Sequence, residues 1–87
     1  MPKLEVPLKE LGKHVRNILD KNNISYDEIR ISKGEKQDDV DYIIAIFSSK
    51  KMPFNRATEI QIEIYKNLKE ILNGEKFVVS YQPILTD

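Results

Sequence analysis

The sequence predicts an α+β domain of order α-β-β-α-β, with two helices on one face of a three-stranded mixed sheet. Three observations predict it. Two segments repeat apolar residues at steps of three and four, the period of one helix face; an alternating segment and a doubly apolar one lie between them; and a β-branched, aromatic run closes the chain.

From residue 8 to about 22, Leu8, Leu11, Val15, Ile18 and Leu19 mark one helix face, while Lys9, Glu10, Lys13 and Arg16 point elsewhere. Asn22 and Asn23 suit its C-terminal end, because Asn tolerates the left-handed conformation that closes many helices. Residues 26–32 alternate, with Ile29 and Ile31 on one side and Glu28 and Arg30 on the other, as a half-buried strand does. Residues 33–39 carry Gly34 and a cluster of charges and form a turn.

The segment 40–47 is apolar on both faces: Val40, Tyr42, Ile44 and Ile46 on one, Ile43, Ala45 and Phe47 on the other. A strand covered on both sides is implied. The stretch SSKKMPF reads as a loop, followed by a helix from about Pro53 or Asn55 to Asn73 with Ala57, Ile60, Ile64, Leu68 and Ile71 as its stripe. Tyr65 and Leu72 widen that stripe, Ile62 lies off it, and Gly74 is the stop. Residues 76–82 form the third strand, which Pro83 ends or places at an edge. The hairpin supplies two antiparallel strands, and the second helix returns the third strand to the same sheet. Both helices then lie on one face, leaving Ile43, Phe47 and Val78 on the other without cover; a second copy of the chain is the simplest cover.

Eighty-seven residues leave room for one domain, assigned to 8–87, with 1–7 as an N-terminal arm. The absence of cysteine excludes a disulfide scaffold, thiolate zinc sites and Cys nucleophiles, and makes a reducing, cytoplasmic setting the expectation. Fourteen basic residues balance fourteen acidic ones, so the broad electrostatic attraction for phosphate backbones is missing and no nucleic acid is expected. No apolar run approaches the length of a membrane span, and MPKLEVP has no signal-like apolar core.

No catalytic set is visible, and the chain reads as a non-enzyme. His14, the single histidine, sits at the border of the first helix's apolar stripe and reads as a surface residue. Glu35, Asp38, Asp39 and Asp41 invite a divalent cation, yet they lack the spacing, central Gly and terminal Glu of an EF-hand loop and read as a solvated turn. Lys50, Lys51 and Arg56 surround the start of the second helix, where free N–H groups favour anions; the plainer reading is a lysine-protected sheet edge. Ile43, Phe47, Val78 and Ile62 are the candidates for a dimer interface.

From Tyr26 to Pro83 the sequence resembles the C-terminal cytoplasmic domain of the cation diffusion facilitator transporters. Asp27, Glu28, Ile29 and Arg30 followed by Gly34 match a His-Asp-Leu-Arg-like strand and its Gly turn. Met52, Pro53, Ala57 and Thr58 within MPFNRAT match the helix start, and Ser80 to Pro83 matches the closing strand. The resemblance implies a ferredoxin-like (metallochaperone-like) domain, homodimeric and regulatory, working beside a membrane transporter domain in the same chain or as a free-standing relative. Where the family places metal ligands this chain carries Asp27, Ala45, Thr58, Ser80 and Gln82, of which only Asp27 is a good ligand. No resident cofactor is therefore expected, and a divalent cation such as zinc would find at most a weak site at Asp27. A rival reading is a small KH-like RNA- or ribosome-associated module, which shares the element order; the chain lacks the Gly-x-x-Gly loop of such domains. An acylphosphatase-like enzyme is disfavoured because Asn55 and Arg56 stand at a helix start rather than in a phosphate loop.

Overall fold

Leu11, Val15, Ile18 and Leu19 bury one face of the first helix, α1 (Leu8–Lys21). Its end is a Schellman motif: Ile24 N–H donates to Leu19 O at 2.8 Å and Asn23 N–H to Asp20 O at 3.2 Å. Asn23 supplies the left-handed residue this motif needs, with φ 55°, and Ile24 is buried just beyond it. The computed structural model describes residues 8–35 and 39–86, so the arm assigned to 1–7 lies outside the described residues.

Strand β1 (Glu28–Lys33) pairs antiparallel with β2 (Tyr42–Pro53), and β2 pairs in parallel with β3 (Phe77–Thr86). The sheet order is β1-β2-β3. Helix α2 (Phe54–Ile71) makes the crossover from β2 to β3. The chain is thus an α+β fold of order α-β-β-α-β, with a three-stranded mixed sheet and a ferredoxin-like arrangement. Tyr42, Ile44 and Ile46 of β2 join Phe77 and Tyr81 of β3 and the apolar stripes of both helices in one core. Helix α1 packs on β1 and α2 on β3, and the helices touch each other, so both cover the same sheet face.

Strands β1 and β2 each begin two residues later than the sequence reading places them, and three further differences have a physical reason. The stretch SSKKMP is strand, not loop: β2 runs on to Pro53, where Lys51, Met52 and Pro53 pair with Ile84, Leu85 and Thr86. Ser48 and Met52 are buried, while Ser49, Lys50, Lys51 and Pro53 are exposed. Pro83 does not end β3 but lies in an edge strand, the other outcome the sequence allows. The parallel ladder breaks between Phe47 and Lys51, where three residues of β2 face Pro83 alone, so the residue without an N–H falls where no ladder donor is needed. Helix α2 stops at Ile71 rather than Asn73, and Leu72 replaces Ile71 in the core: Leu72 is 1% exposed and Ile71 37%. Buried positions 57, 60, 64, 68 and 72 prolong a step of four, carrying the stripe past Ile71.

Candidate interaction face and charged sites

The register of the sheet decides what its helix-free face presents. Residues aligned across the strands share a face, so Ile43 stands beside Ser32 and Val78, Ala45 beside Arg30 and Ser80, and Phe47 beside Glu28 and Gln82. On the central strand Ile43, Ala45 and Phe47 are half-buried, and Val78 on β3 is 46% exposed. The strand predicted to be covered on both sides is therefore covered on one side only among the described residues.

Polar groups frame this apolar stripe. The Arg30 guanidinium lies over the Phe47 ring, 5.4 Å from its centroid, and its Nε donates to Glu28 Oε1 at 2.8 Å. On the opposite border Gln82 Nε2 donates to Ser80 Oγ at 3.0 Å. Three of the four interface candidates, Ile43, Phe47 and Val78, share this face. Ile62 does not join them: it is 48% exposed on α2, beside a shallow cavity of about 150 Å³ shared with Gln61, Tyr65 and Val79. The neighbouring Tyr65 stacks on Phe77, ring centroids 4.8 Å apart.

Asp27 is engaged in the backbone. Ser49 N–H donates to its Oδ2 at 2.5 Å, and its own N–H donates to Phe47 O at 2.8 Å. Among the other positions matched to family ligands, Ala45 and Ser80 are neighbours across β2 and β3, and the Thr58 hydroxyl donates back to Phe54 O at 3.0 Å. No cluster of three or more His, Cys, Asp or Glu able to hold a metal ion occurs among the described residues.

The acidic turn is built into the hairpin. Asp41 Oδ2 accepts the Lys76 N–H at 2.8 Å, and Lys76 Nζ pairs with Asp39 at 3.1 Å. With Glu35, Gly34 and Gly74 these groups line an open polar depression of about 390 Å³, while Asp38 lies outside the described residues. The anion candidates are not gathered into one pocket: Lys50 and Lys51 are consecutive strand residues, and Arg56 pairs with Glu59 at 3.3 Å. His14 is half-buried on α1.

Two grooves were not read from the sequence. An apolar one of about 410 Å³ runs between the start of α2 and the end of β3, with Phe54 and Leu85 at its rim, 65% and 54% exposed. Its signal is the apolar tail after Pro83, Ile84 and Leu85, which lies beyond the strand bounds the sequence suggests. The other, of about 480 Å³, lies along α1 and β1 and is flanked by Lys9, Lys13 and Arg16. Their spacing of four and three is the signal, although in the sequence they only point away from the apolar stripe.

No helix among the described residues is long and apolar enough to cross a membrane. Comparison of the chain with protein-family models, with curated proteins and with solved structures gave no match.

Proposed function

We propose that this chain is a non-enzymatic dimerisation domain, in which the helix-free sheet face of one copy meets the same face of a second. The observation that carries the reading is the apolar stripe on the central strand, Ile43, Ala45 and Phe47, continued by the exposed Val78. Such a stripe loses water contact when two copies meet about a two-fold axis, because each residue then has apolar surface opposite it. The Arg30–Glu28 and Ser80–Gln82 pairs stand at its borders as a polar rim does around an interface core.

The resemblance of residues 26–83 to cation diffusion facilitator cytoplasmic domains supports the same reading and extends it. In this proposal the domain is cytoplasmic and regulatory, and it couples the packing of two subunits to a divalent-cation transporter. It does so as a scaffold, since Asp27 is occupied by Ser49 N–H and Ala45, Thr58, Ser80 and Gln82 offer no strong zinc donors.

Sedimentation equilibrium at micromolar concentration tests the assembly. A species of twice the chain mass is expected, and a strict monomer would remove the reading. Calorimetric titration with Zn²⁺ tests the second part; no stoichiometric, submicromolar binding is expected, and finding it would restore a metal-sensing role.

A further inference from the structure

We infer that the outer edge of β1 accepts an added strand from an acidic, extended segment of a partner protein. Gly34 N–H donates to Asp41 O at 3.0 Å, which makes 34/41 a hydrogen-bonded pair of the antiparallel register. Hydrogen-bonded and non-bonded pairs alternate, so Ser32, Arg30 and Glu28 direct their backbone groups at β2. Ile29 and Ile31 direct theirs away from it, and among the described residues β1 has no neighbour on that side. An edge of this kind is a template for another strand.

The side chains along the same edge specify charge. Lys9, Lys13 and Arg16 fall within about 60° of one another around α1 and flank a groove of about 480 Å³ floored by Gly12, Ile29 and Ile31. Gly12 keeps the floor open at the helix: a Cβ there would stand 3.8 Å from Ile31 Cδ1. None of the three cations forms an ion pair among the described residues. Asp20 prolongs their stripe one turn beyond Arg16 and bounds the cationic run at that end.

Alternate residues of a guest strand recur every ~6.7 Å. The helix steps from Lys9 to Lys13 and on to Arg16 are ~6 Å and ~4.5 Å, and the long stems of these side chains take up the difference. A guest whose inward residues are apolar or acidic would thus lay its backbone on Ile29 and Ile31 and its carboxylates beside the three cations. A second copy of this chain is a poor occupant. Pairing β1 with its own twin about a two-fold axis would bring two sets of Lys9, Lys13 and Arg16 together, and like charges disfavour that contact. The groove is also separate from the helix-free face, so a dimer formed there leaves it open.

The test uses the full chain and three probes in fluorescence anisotropy at low and moderate salt: a peptide of alternating glutamate and valine, the same peptide N-methylated at every backbone nitrogen, and a single-stranded oligothymidylate. The first is expected to bind saturably, to slow hydrogen exchange at the Ile29 and Ile31 amides, and to lose at least about tenfold in affinity to the exposed double change Lys13→Glu with Arg16→Glu. N-methylation is expected to abolish binding by removing the guest's donors. Absence of saturable peptide binding, equal binding of the N-methylated peptide, or tighter binding of the oligothymidylate would each overturn the inference, the last pointing to a phosphate-binding face instead. Circular dichroism of the double variant, expected to match the parent, separates lost binding from lost fold.

Discussion

The Asp27 carboxylate accepts the Ser49 backbone N–H at 2.5 Å, tying the start of β1 to the point where β2 leaves the regular ladder. Residues 48–50 are the part of β2 without partners in β3, so the carboxylate and the Ser48 hydroxyl, which accepts the Lys50 N–H at 3.1 Å, satisfy donors the sheet does not use. Asp27→Ala is expected to lower stability by about 1 kcal/mol, since the bond is charge-assisted but exposed. Asp27→Asn, which still presents an acceptor, should lose less. Urea denaturation of the two variants checks this order, and equal losses would show that the acceptor is not what matters.

Gly34 and Gly74 are both needed, for different reasons. A Cβ on Gly34 would overlap Val40 O and lie 2.6 Å from Val40 Cγ2, so the hairpin backbone itself has to move. Gly74 has open space around it but adopts φ +85°, a conformation in which a side chain strains its own backbone. Gly34→Ala is expected to cost about 3 kcal/mol and Gly74→Ala about 1 kcal/mol. Thermal or urea unfolding of both variants measures the difference; a larger loss at Gly74 would contradict the steric account of the hairpin.

Where local chemistry decides structure, the sequence was readable. Asn23 announced the end of α1 because few residues other than Gly enter the left-handed region easily, and the alternation of Ile29 and Ile31 with Glu28 and Arg30 announced β1. The far half of β2 was hidden, since Ser48 to Lys51 look like a loop and the ladder resumes only because Lys51, Met52 and Pro53 pair with residues beyond Pro83. That pairing is non-local, and no window of sequence contains it. The same limit applied to the sites. The bond that Asp27 accepts comes from Ser49, 22 residues away, and is equally non-local. Ile43 and Phe47 could be placed on the uncovered face from alternation alone, whereas Ile62 required the rotation of α2 to be seen.

Tyr81 links the ends of the fold: its hydroxyl donates to Ser25 O at 3.2 Å and its N–H to Gln61 Oε1 at 3.0 Å. Burial pushes its phenol above the ordinary value of 10.0, with the Ser48 hydroxyl and the Arg56 charge partly opposing. The folded chain therefore keeps this proton at a pH where the unfolded chain has begun to lose it. The associated stability is complete below pH 10 and declines as the pH rises from there through the raised folded value. Tyr81→Phe is expected to lose about 1 kcal/mol at neutral pH with the Ser25 bond, and to show a shallower decline in alkali than the parent. Urea midpoints of both proteins at about pH 9 and about pH 11 measure the slopes, and parallel slopes would remove Tyr81 from the account.

The interaction face and the core should separate cleanly in mutants. Ile64 is fully buried, and Ile64→Ala is expected to cost about 3 kcal/mol while leaving the helix-free face unchanged. Phe47 is half-buried, on the other side of the sheet, beneath Arg30. Phe47→Ser removes the ring that Arg30 covers and part of the exposed stripe, a loss of about 1 kcal/mol in the isolated chain. In a two-fold dimer the same change acts twice, once from each copy, so self-association is expected to weaken at least about tenfold. Sedimentation equilibrium and urea unfolding on both variants give the two readouts. If Ile64→Ala disrupts the dimer at concentrations where it stays folded, or Phe47→Ser leaves it intact, the contact surface lies elsewhere, and the exposed rim of Phe54 and Leu85 becomes the next surface to mutate.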